Sequence, residues 1–200
     1  MSAAGLAVDG EALAPEARRM LDYLRERAGA MTQSQIRERV RSAARELEAL
    51  VASTCAEEAR RRPIPGKWTI AEVVDHIAQT QIRAAEELRH LLAGRRPPGP
   101  PVYEALRSGA AAWAPWQELA DGLREANQEL LALLETDAAT AEPAPTVRTI
   151  LVVTRERPDG GAGPQIFAAE LGWKEYALLQ RLHLLDHRTQ IKNLLRALEP

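Results

Sequence analysis

Between Trp173 and Leu198, the residues Trp173, Tyr176, Gln180, His183, His187, Ile191, Leu194 and Leu198 recur at spacings of three or four. At about 100° per residue they form one stripe along a helix. Arg181, Arg188, Lys192 and Arg196 fall on the opposite side. Long cationic side chains mark that side as the solvent face, so the two histidines must point inward. A helix with such a stripe has to bury it against other elements, and the rest of the chain must supply them.

Three further segments carry matching stripes. From Thr32 to about Arg61 the inward positions are Ile36, Val40, Ala43, Leu47, Leu50 and Thr54, and Pro63 and Pro65 stop the run. The next helix is predicted to start at Ile70. Thr69 and Glu72 have the spacing of a capping box, and Trp68 and Val73 that of a hydrophobic staple. Its stripe is Ile70, Val73, Val74, Ile77, Ala84, Leu88 and Leu91, ending near Gly94 before a Pro-rich segment at 97–101. Residues 103–112 read as a weakly helical connector. Pro115 and Trp116 then open a third helix to about Thr136, marked by Leu119, Leu123, Leu130 and Leu134.

Before the last helix, Thr146 to Arg155 is rich in β-branched residues, and Asp159-Gly160-Gly161 can turn the chain toward Gln165–Ala168. A small hairpin is expected there. At the other end, residues 1–14 are Ala- and Gly-rich and predicted to be poorly ordered, and Pro15 opens a short helix with Met20, Leu21 and Leu24 that Gly29 ends. The expected fold class is therefore all-α. The expected architecture is an antiparallel four-helix bundle, a single domain over 1–200 with residues 1–30 as an N-terminal extension. The long connection before the last helix allows an arrangement other than simple up-down-up-down.

Charge narrows the partners. Lys plus Arg number 26 against 28 Asp plus Glu, which gives no electrostatic reason to expect nucleic acid or an anionic membrane. Neither a basic-then-apolar leader nor an uninterrupted apolar run of about 18 residues is present, and the expectation is a cytoplasmic protein. The single cysteine, Cys55, excludes an intramolecular disulfide and reads as an inert thiol on an amphipathic helix. Leu178 and Leu185 fall on the solvent side of the last helix, which suggests either a homodimer surface or a contact with the N-terminal helix.

Residues four apart on a helix lie one above the other and can touch a common ion, so His183 and His187 read as two metal ligands. His76, close to two turns into its own helix, supplies a third if the two helices are neighbours. Three neutral imidazoles leave positions open for water or substrate. Gln190, one turn beyond His187, reads as a partner of that ring. His90 reads as a solvated residue near a helix end, and Asp75 and Asp186 as salt-bridge residues.

Gly66-Lys67-Trp68-Thr69 with Glu72 and His76, together with His183, His187 and Gln190 near the C-terminus, resembles the DinB-like (damage-inducible) superfamily of four-helix-bundle metalloproteins. The resemblance covers about residues 32–198. It implies one divalent metal, zinc or nickel, on His76, His183 and His187. It further implies a metal-dependent thiol S-transferase that joins a low-molecular-weight thiol such as bacillithiol or mycothiol to a small-molecule electrophile. A metal-dependent hydrolase and a non-catalytic stress-response bundle are the alternatives. No serine, cysteine or carboxylate dyad offers itself as a catalytic group beyond the metal ligands.

Overall fold

The computed structural model describes residues 15–102, 104–140, 142–156 and 162–199. Its helices are α1 (Pro15–Ala30), α2 (Gln33–Ser53), α3 (Ala56–Arg60), α4 (Ile70–Leu92), α5 (Trp116–Leu133) and α6 (Trp173–Arg196), with a hairpin of β1 (Val147–Glu156) and β2 (Ala162–Leu171) before the last. The four long helices α2, α4, α5 and α6 form the bundle. Residues 1–14, expected to be poorly ordered, and the Asp159-Gly160-Gly161 turn lie outside the described residues.

Side-chain bonds near the helix ends fix the directions. His76 meets His183 while Glu87 accepts from Tyr176, so α4 and α6 are antiparallel. Gln33 reaches the carbonyls of Leu134 and Thr136, and Trp116 reaches that of Thr54, so α2 and α5 are antiparallel too. By contrast Lys174 bonds Met31 and Arg188 bonds Glu46, which makes α2 and α6 parallel. The N–H of Ala139, beyond the end of α5, donates to Leu92 at the end of α4, so these two are also parallel. The order of directions along the chain is up, down, down, up. Residues 93–115 are the crossover that carries the chain back along the bundle, as in bundles with long connections.

Capping works as read for α4: the Thr69 hydroxyl accepts from Glu72 N–H, and Glu72 accepts from Thr69 N–H. All seven expected stripe residues of α4 are buried. The run expected from Thr32 to Arg61 is instead broken. It ends at Ser53, and α3 restarts after Cys55, which is exposed and caps it. The cause is a competing partner: the indole N–H of Trp116 takes the Thr54 carbonyl at 2.9 Å. Of the connector expected over 103–112, the described residues 104–112 form no α-helix; Ala110–Ala112 is a single 3-10 turn.

The hairpin alternates with period two. Val147, Leu151 and Val153 on β1, and Phe167, Ala169 and Leu171 on β2, face inward. Ala17 of α1 is buried with Val153 and Phe167, with Met20 packed against them. The helix α1 also packs on α6. Leu178, expected on the solvent side, is only 2 % exposed, and Leu185 packs against the core. The exposed face assumed for these leucines is thus absent, and the N-terminal helix is the neighbour that α6 acquires. No described helix is long and apolar enough to cross a membrane.

Candidate metal centre

Antiparallel packing of α4 on α6 brings three rings together. His76 Nε2 lies 3.2 Å from His183 Nε2, and His187 Nε2 lies 3.0 Å from the same atom. Ring centroids are 5.2 Å apart for His76 and His183, 4.9 Å for His76 and His187, and 4.4 Å for His183 and His187. Among the described residues these three form the one cluster of histidine, cysteine or carboxylate groups able to share an ion. His90 lies half-buried near the end of α4 and outside it.

The proton positions follow from the partners. His76 Nδ1 is 2.9 Å from the Leu106 carbonyl, which can only accept, so Nδ1 carries the hydrogen and Nε2 is a bare lone pair. His187 Nδ1 lies 2.7 Å from Gln190 Oε1, which fixes the same tautomer. That is the contact expected of Gln190. Two lone pairs therefore face His183 Nε2, which can satisfy at most one of them by donating a proton. Its own Nδ1 is buried without a partner. One ion accepts all three pairs at once. Bonds of about 2.0–2.1 Å in tetrahedral geometry put ligand nitrogens about 3.3 Å apart, close to the separations present. The cluster thus fits one divalent metal.

Electrostatics keep the rings neutral. Burial, opposed by the Leu106 bond, pulls His76 below the ordinary histidine value. Burial and then the neighbouring rings push His183 well below it, and burial brings His187 down to about 4. At neutral pH the three are unprotonated donors, the state a metal requires.

Around His76 the structure departs from the sequence reading. Asp75, 3 % exposed, is no salt-bridge residue. Its Oδ1 accepts from Ser108 Oγ at 2.5 Å and Ser108 N–H at 3.3 Å, and its Oδ2 accepts from Gly109 N–H at 3.1 Å. A pocketed carboxylate surrounded by donors needs no cation. Gly109 sits at φ +83°, a left-handed conformation that favours glycine. Asp186 is exposed and takes part in none of the described ion pairs. Sequence reasoning also missed Trp68 as a site residue. Its ring lies 5.1 Å from that of His76, and the Arg107 guanidinium lies over it at 5.2 Å. A cleft of about 630 Å³, lined in part by Arg60, Arg62, Glu72, Asp75, Arg107 and Ser108, borders the loop that holds His76.

Comparison with known proteins agrees with this architecture. The family model described as the DinB superfamily matches residues 38–154. The four-helix bundle protein TT2238 is similar at 18 % identity, covering 81 % of this chain and 99 % of that one with a TM-score of 0.50. YfiT from Bacillus subtilis, described as a probable metal-dependent hydrolase with an unusual four-helix bundle topology, is similar at 17 % identity. That likeness covers 96 % of this chain and 93 % of YfiT, with a TM-score of 0.51. At these identities the likenesses establish the fold. No curated protein sequence matches the chain.

Proposed function

The chain belongs to the DinB superfamily, and from that premise we propose that it binds one divalent metal ion, zinc or nickel, through His76, His183 and His187. We further propose that it joins a low-molecular-weight thiol to an electrophile. The observation that carries the reading is the convergence of three Nε2 atoms, with the hydrogens of His76 and His187 turned away toward Leu106 and Gln190.

An ion held by three neutral ligands keeps its full charge and lowers the pKa of a bound water or thiol. A thiol starts at about 8.5, whereas water starts at about 15.7, so a thiol needs far less help to ionise near neutrality. The three-histidine cluster contains no carboxylate to serve as a base, which favours the thiol over water as the activated group. The chain's own residues have two tasks in this reading. Leu106 and Gln190 hold two rings in the donor tautomer, and the apolar flanks of α4 and α6 restrict water.

The test is mass analysis after incubation with a bacterial thiol and monobromobimane or chlorodinitrobenzene, with and without zinc or nickel. Metal-dependent conjugate is the expected result. Hydrolysis of ester, amide or lactone substrates with no added thiol would instead favour a hydrolase, the description given to YfiT.

A further inference from the structure

His183 and His187 are carried by one helix, but His76 reaches them from another, and its ring direction is set by a loop. That loop is itself anchored. The Leu106 carbonyl that receives His76 Nδ1–H lies two residues before Ser108 and three before Gly109, and both of these donate to the carboxylate of Asp75. Asp75 is the residue immediately before His76, so the two side chains grip the same loop from adjacent positions on α4. The carboxylate is buried, and all three of its hydrogen bonds go to this one loop.

We infer that Asp75 is a positioning residue for the metal centre: by tethering residues 106–109 it places the carbonyl that fixes the His76 ring and its tautomer. This inference rests on the three-histidine metal reading above. Its logic is that of an acceptor behind a ligand, which orients the ring and selects the nitrogen left bare. Without the tether, Leu106 is free to leave, Nδ1–H loses its acceptor, and His76 can present either nitrogen to its neighbours. The same loop carries Arg107, whose guanidinium covers Trp68 beside His76, so the anchor also sets one wall of the cleft.

The experiment compares the wild type with Asp75→Asn and Ser108→Ala. Asparagine keeps the shape but turns an N–H toward the N–H of Ser108 or Gly109, so the tether breaks. Ser108→Ala removes the hydroxyl's bond to Asp75, along with the one it accepts from Ala110 N–H, from outside the helix and leaves α4 intact should Asp75→Asn fold poorly. Affinity for zinc and nickel is measured by competition with a chromophoric chelator. In the metal-free protein, ¹⁵N spectra show which nitrogen of His76 bears the proton. The expected loss is about 10- to 100-fold in affinity for Asp75→Asn and a smaller loss for Ser108→Ala, the range typical of partners behind a ligand. His76 should pass from Nδ1–H alone to a mixture of tautomers. Leu130→Ala, a core truncation on α5, should lower stability and leave both readouts unchanged, which separates positioning from a general loss of fold.

Wild-type affinity in both loop variants would overturn the inference. If the wild type binds neither metal, the metal reading fails. The His76 tautomer in Asp75→Asn then decides the tether alone, and unchanged Nδ1–H would overturn it.

Discussion

The two helices that meet at the site present their imidazoles in different ways. On α6, His183 and His187 are one turn apart, and Gln190, one turn further, bonds His187. Everything that orients His187 is local to a single helix. On α4, His76 depends on Leu106 some thirty positions later, on the loop that Asp75 anchors, and on Trp68 under Arg107. One side of the site is built by helix periodicity, the other by tertiary structure. The α6 pair should therefore survive perturbations of the loops that disable His76, while loss of either α6 ring should weaken metal binding at least as much as any change in the loop.

The sharpest break in this comparison is His187→Ala. A four-ligand structural zinc site contributes roughly 10–16 kcal/mol, so one ligand is worth about 3 kcal/mol, or about a hundredfold in affinity. Isothermal titration with zinc should show that loss or more, and His183→Ala should match it.

Acidity acts on both sides. Because burial holds the folded-state values below the ordinary 6.5, the unfolded chain binds more protons than the folded one between about 6.5 and the depressed values. Stability of the metal-free protein is therefore full above about pH 6.5 and falls on acidification toward pH 4. Each histidine contributes a slope of about 1.4 kcal/mol per pH unit within its own window. Urea unfolding at stepped pH measures this. Metal affinity should be nearly flat from pH 8 to 6, where ordinary histidines would already lose ligand character.

Gln190→Leu removes the acceptor behind His187 and should weaken metal binding by about tenfold while His76 keeps its tautomer. Thr69→Ala has the smallest effect. It deletes the α4 cap at a cost of about 1 kcal/mol of stability, read as a lowered urea midpoint, and leaves the α6 pair unaffected.

The features legible in the sequence are those encoded within one helix. The spacing of His183, His187 and Gln190 and the Thr69–Glu72 box at the start of α4 are local patterns, and the structure contains each of them. The β-branched run from Thr146 to Arg155 likewise announced the hairpin. Features set by distant partners were not legible. The break at Thr54 comes from an indole 62 positions away, and Asp75 finds its donors 33 and 34 positions away. Leu178 looked exposed because its own helix cannot reveal what packs against it, and in the fold it is buried. The parallel run of α4 and α5 depends on a crossover whose composition carries no direction.

The central claim is that three imidazoles from two helices share one divalent ion. The most direct test is a crystal structure of the protein grown with zinc or nickel, with anomalous data collected at the metal edge. The account predicts one strong peak about 2.0–2.1 Å from Nε2 of His76, His183 and His187 for zinc, and its disappearance in His183→Ala. A peak elsewhere, or density bound by the α6 pair with His76 turned away, would contradict it.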